Sequence, residues 1–103
     1  MSPLNISHHS TDRGPVLRVV GDLDHAQTTA LRERIDDLVL GPGRRLVIEL
    51  SGLDFCDSTG ITALLAARRH AQAAGADMVL TGVPADTMRV LTTAGLDQVF
   101  TIR

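Results

Sequence analysis

The stretch Leu53-Asp54-Phe55-Cys56-Asp57-Ser58-Thr59-Gly60-Ile61 decides how this chain is read. It sets two adjacent hydroxyls, between a carboxylate and a glycine, where strand-like sequence gives way to helical sequence. Upstream, Leu46-Val47-Ile48-Glu49-Leu50 is a short, nearly continuous apolar run rich in β-branched residues, the pattern of a buried strand. Downstream, Ile61, Leu64, Leu65 and Arg68 recur at helical spacing, so a helix begins near Ser58. Backbone N–H groups and the positive end of the helix dipole gather at such a start, and both favour a phosphate there. Ser58 has a plain role too, because serine is a favoured helix N-cap worth about 1 kcal/mol. The roles are compatible, and together they make Ser58 a hydroxyl whose position tolerates charge. Asp57 reads equally as an N-cap carboxylate, as a holder of the Ser58 hydroxyl or as a partner contact.

Outward from this segment the chain alternates strands and helices. Leu4, Ile6 and His8 alternate with polar neighbours in a weak first strand, and Asp12, Gly14 and Pro15 supply turn chemistry for a hairpin into Pro15–Val20. Gly21-Asp22-Leu23-Asp24 reads as a tight connection into a helix capped by Asp24, with Gln27 three residues on. Leu31, Ile35, Leu38 and Val39 line one face of that helix, and Gly41-Pro42-Gly43 stops it. The central helix runs from Ser58 to Ala74 and closes at Gly75, its alanines permitting close approach to a sheet. Met78–Leu80 is a short strand. Pro84 opens a last helix that turns Met88 and Leu91 inward and ends at Gly95, and Val99–Ile102 forms an edge strand.

This order, β-β-α-β-α-β-α-β, has no repeat or linker. Strands joined through helices run parallel by right-handed crossovers. The expected fold is one α/β domain over residues 1–103, a mostly parallel mixed sheet with an antiparallel N-terminal strand and packed crossover helices. Functional loops of such sheets collect beyond the carboxyl ends of the parallel strands. Two loops fall there, Gly21–Asp24 and Asp54–Thr59. If their strands are neighbours, Asp22 and Asp24 approach Asp57, Ser58 and Thr59.

Composition excludes several roles. The chain of 103 residues is 44% hydrophobic but only 2% aromatic, so its core is aliphatic and it lacks base-stacking platforms. A net charge of −2 with no basic stripe argues against nucleic acid. No apolar run approaches the roughly 20 residues of a membrane span, and Met1–Ser10 carries no apolar signal core. A single cysteine makes no internal disulfide, which fits a reducing cytoplasm. Cys56 reads as a small core residue. His8, His9, His25 and His70 show no metal-ligand spacing and read as surface groups, as do Arg68 and Arg69, a solvated helix face or a partner contact.

Gly21-Asp22-Leu23-Asp24 after a strand, then Asp54-Phe55-Cys56-Asp57-Ser58-Thr59-Gly60 before an apolar helix, resemble the bacterial anti-sigma factor antagonists of the STAS domain class. The resemblance extends to the Val83-Pro84 helix entry and the Ala94–Phe100 close. It implies a STAS-like fold, no enzymatic activity, no cofactor and no metal. It also implies that Ser58 is phosphorylated by the partner anti-sigma factor, itself a serine kinase. The unmodified form would bind that kinase and free a sigma factor; the phosphorylated form would let go, and a PPM-type phosphatase would reset it. Asp22, Asp24, Asp57, Ser58, Thr59 and Gly60 become the expected partner surface, with Gly60 giving the partner room or merely opening the helix. Thr59 is either a helix-start residue or a second acceptor. His25 and the His8-His9 pair depart from the family pattern.

Three rivals compete. A hydrolase with Ser58 as nucleophile needs a base in reach and the Gly-x-Ser-x-Gly elbow, which Asp57-Ser58-Thr59-Gly60 lacks. A phospho-acceptor aspartate at Asp54 or Asp57 normally needs a lysine, and the chain has none. A STAS scaffold domain in a stress-signalling complex, not switched by its own bound kinase, is the third.

Overall fold

A hairpin opens the fold. In the computed structural model, which describes residues 3–103, β1 (Asn5–Ser10) and β2 (Pro15–Leu23) pair antiparallel from Asn5↔Val20 to Ser10↔Pro15. Met1 and Ser2, which head the domain reading 1–103 and the polar opening stretch, lie outside the described residues. Thr11 and Gly14 close the turn, each backbone N–H donating to the other's carbonyl at 2.9 and 3.2 Å.

β2 organises everything that follows. Its first half pairs in parallel with β3 (Arg45–Glu49), in register Val16↔Val47 to Arg18↔Glu49. Its second half pairs in parallel with β4 (Leu53–Cys56). β5 (Asp77–Thr81) lies parallel to β3, and β6 (Thr101–Ile102) parallel to β5. The described sheet therefore runs β1-β2-β3-β5-β6, with β4 on β2, and only the first pair is antiparallel. The expected α/β class and mixed sheet hold.

Burial alternates along β2 and β3, so one face of the sheet is packed. Leu17, Val19, Leu46, Ile48, Met78 and Leu80 meet Leu31 and Ile35 of α1 (Thr28–Asp36) and Ile61, Leu64, Ala67 and Ala71 of α2 (Ser58–Ala73) in one aliphatic core. The buried alanines of α2 let its backbone lie close to the strands, as the sequence indicated. α3 (Ala85–Thr93) adds Leu91 to this core. Among the described residues no helix is long and apolar enough to cross a membrane.

Six local readings need correction. Gly21-Asp22-Leu23 is not a connection but the end of β2, because β4 runs beside it and takes up its backbone groups. The register shifts between Gly21 and Asp22, where Gly21 has a φ of +100° that favours glycine. Leu53–Cys56 is correspondingly a strand and not part of a loop. Asp24 does not cap α1: its carboxylate accepts the Ala26 N–H at 3.1 Å and its carbonyl the Gln27 N–H at 3.0 Å, closing a turn before the helix. α1 ends at Asp36, since Asp36 and Asp37 place two carboxylates at the negative end of the dipole, and Val39 is left 88% exposed. Finally, α3 buries Thr87 with Leu91 while Met88 is only half-buried, and a 3-10 turn at Leu96–Gln98 shortens the last strand. That turn's Leu96 carbonyl accepts the N–H groups of both Val99 and Phe100, which removes them from the ladder.

Candidate functional site

The ends of β2 and β4 stop side by side, Leu23 level with Cys56, and the chain then enters α2 directly. This parallel pairing brings the two expected loops together. The link is made by Asp57, whose N–H donates to the Leu23 carbonyl at 3.4 Å and whose Oδ2 accepts the His25 N–H at 3.3 Å.

Asp57, not Ser58, is the N-cap of α2. Its extended backbone (φ −93°, ψ −174°) turns Oδ1 back over the first turn, where it accepts the Gly60 N–H at 3.0 Å and the Thr59 hydroxyl at 2.5 Å. Thr59, in the first turn of α2, thus holds the cap with its hydroxyl. These bonds, the Thr59 hydroxyl first and then the amides of Gly60 and His25, hold the Asp57 carboxyl below its ordinary 3.8, against an opposing contribution from burial. A depressed folded value means stability that is present above the unfolded pKa and lost as pH falls through the folded one. Stability should therefore decline below about pH 4. Asp57→Asn, which keeps a capping oxygen but not the charge, should flatten that decline; urea midpoints between pH 3 and pH 7 check it.

Gly60 is buried, and its bare α-carbon serves the chain's own packing. A Cβ there would lie 2.5 Å from the Leu23 carbonyl oxygen and 2.8 Å from the Cys56 sulfur. The space a side chain would take is already filled from within. Cys56 is half-buried beneath this contact, and desolvation, with the Asp57 charge second, pushes its thiol up to about 12. A thiol so raised is no nucleophile near neutrality.

Ser58 occupies the first helical position and is exposed. Its carbonyl accepts the Thr62 hydroxyl at 3.0 Å, while its own hydroxyl meets no protein group among the described residues. Asp22 is half-buried in β2, level with Phe55, and Asp24 is half-buried in the turn beyond it. Asp24, Asp54 and Asp57 form no ion pair among the described residues, so this end of the sheet is acidic.

One residue was missed in the sequence. Phe55, one of two aromatics in the chain, is 51% exposed beside the site. With Val90, 44% exposed on α3, it flanks a groove of about 460 Å³ lined also by Asp54, Pro84, Asp86 and Thr87. An exposed aromatic carries no local mark; only the seating of β4 reveals it.

The fold is shared with known regulators. The chain is similar to an anti-sigma factor antagonist from Mycobacterium paratuberculosis, at 24% identity and a TM-score of 0.80 over 97% of this chain and 85% of that one. It is similar to the anti-sigma factor antagonist SpoIIAA in its unphosphorylated form, at 20% identity and a TM-score of 0.75, covering 96% and 88%. The Bacillus cell fate determinant SpoIIAA in its phosphorylated form gives 21% identity and a TM-score of 0.70, covering 98% and 91%. Residues 6–102 match the family model described as Mlab, STAS domain. This match spans nearly every strand and helix described above, and the chain belongs to the STAS domain family.

Proposed function

We propose that this chain is an anti-sigma factor antagonist, a binding protein that docks on an anti-sigma factor serine kinase while Ser58 is unmodified and thereby frees a sigma factor. Phosphorylation of Ser58 by that kinase ends the interaction, and a PPM-type phosphatase restores it. The domain is the substrate of this cycle and not a catalyst. The observation that carries the proposal is the setting of Ser58: exposed, at the first position of a sixteen-residue helix, with no protein partner for its hydroxyl among the described residues, amid aspartates. The hydroxyl lacks the bonded base a serine nucleophile requires. A SpoIIAA structure in each phosphorylation form, both similar in fold to this chain, adds support.

The docking surface would comprise Ser58 with the neighbouring carboxylates Asp22, Asp24 and Asp57, while Thr59 and Gly60 act by shaping it. Phe55 supplies an apolar anchor of the kind that dominates interfaces. Because Asp57 already occupies the Gly60 amide, a phosphate on Ser58 gains the positive helix end but meets a carboxylate beside it. Binding is where that added charge tells most.

Incubation with ATP and a candidate anti-sigma factor kinase, followed by mapping of any added phosphate, tests the proposal. Phosphate should appear on Ser58 and vanish in Ser58→Ala. A kinase that binds tightly but never modifies Ser58 would instead indicate the scaffold role, for which the exposed Phe55–Val90 groove is a docking surface that needs no change at Ser58.

A further inference from the structure

A second polar concavity lies toward the other end of α2. β6 pairs with β5 only at Val79 and Leu80, which leaves the start of β5 without a strand on that side. The pocket there holds about 340 Å³, and its polar lining is Arg45, Arg68, Gln72, Asp77, Thr101 and Arg103. Three arginines and one aspartate thus line one concavity, in a chain whose net charge is −2.

None of the three is neutralised. The ion pairs among the described residues are Arg18–Glu49 and Arg89–Asp86. Asp77 stands opposite Arg45 in the β3–β5 register, yet the two form no ion pair. Arg68 donates only to the Gln72 side-chain oxygen, at 3.3 Å. Arg45 and Arg68 are also half-buried, which raises the cost of holding like charges together unless a counter-charge arrives. The platform is firm: the Arg45 N–H donates to the Arg13 carbonyl at 2.8 Å, and the Asp77 N–H to the Arg44 carbonyl at 2.9 Å.

We propose that this pocket binds a small oxyanion bearing two or more negative charges, a diphosphate or a polycarboxylate, gripped by the guanidinium forks of Arg45, Arg68 and Arg103. Guanidinium matches both oxyanion types through paired N–H donors. The nearby end of α2 is its carbonyl end, so peptide dipoles do not help and the arginines carry the recognition. Asp77 opposes the ligand. Ser58 lies ten residues from Arg68 along α2, about 15 Å away, so the pocket is separate from the phosphorylation site.

Titration of the full chain with inorganic pyrophosphate and, separately, with citrate tests this, followed by backbone amide NMR shifts. Saturable shifts should centre on Arg45, Arg68–Gln72, Asp77–Val79 and Thr101–Arg103. Arg103→Ala, at an exposed position, should weaken binding about tenfold, the loss of one charge-assisted contact. Asp77→Asn should tighten it several-fold. Preference for pyrophosphate would identify a phosphoryl ligand and preference for citrate a polycarboxylate, and either supports the site. Absence of saturable shifts with both anions, or unchanged affinity in both variants, overturns it. No kinase is present, so the outcome is independent of the switch at Ser58.

Discussion

Replacing Ser58 by aspartate should lower affinity for the anti-sigma factor kinase by about a hundredfold, while the melting temperature moves by only a few degrees. The two effects separate because the two environments differ. In the free domain the side chain stands in water at the positive end of a sixteen-residue helix, where a carboxylate gains a few tenths of a kcal/mol. The capped carboxylate of Asp57 next door offsets part of that gain, so the fold is nearly indifferent. In a complex the same charge is removed from water beside Asp57, and a desolvated charge without a counter-ion costs several kcal/mol. Roughly 3 kcal/mol is a hundredfold in affinity. Ser58→Ala should keep binding and lose only the ability to be modified. Calorimetric titration of the wild type and both variants with the kinase decides the matter. Full affinity in Ser58→Asp would remove the switch from this site.

At the candidate site the largest effect on stability belongs to Gly60→Ala. The new methyl group would stand 2.5 Å from a backbone carbonyl oxygen, 2.8 Å from the Cys56 sulfur and 3.0 Å from Leu23 Cγ. The carbonyl belongs to β2 and cannot yield without lifting α2 from the end of the sheet. Overpacking of this kind costs about 1–3 kcal/mol, and here the upper end is expected because the obstacle is main chain. For a domain near this size, that lowers the melting temperature by roughly 10–20 °C. Gly41→Ala is the matched control, since nothing lies within 4 Å of the added atom and its φ is not positive. It should be nearly neutral. A Gly60→Ala protein that melts with the wild type yet fails to bind would return Gly60 to the partner surface.

Much of this molecule is written in local patterns, and those the sequence alone determined. The β1–β2 hairpin follows from alternation and the turn chemistry of Asp12, Gly14 and Pro15, and α2 follows from apolar spacing ending at a glycine. Helical connections then force parallel strands, which placed the two acidic loops at one end of the sheet. Four features depended on partners distant in the chain, and only the tertiary structure decided them. β4 is four residues with no alternation of their own, a strand only because Gly21–Leu23 runs alongside. Asp57 and Ser58 both read as caps, and the structure gives the role to Asp57, whose carboxylate is held also by the His25 amide thirty-two residues away. The missing side chain of Gly60 has meaning only against Leu23, and the exposure of Phe55 only against α3. Spacing records which face a residue takes within its own element; which atoms wait on the other side is settled when the elements pack.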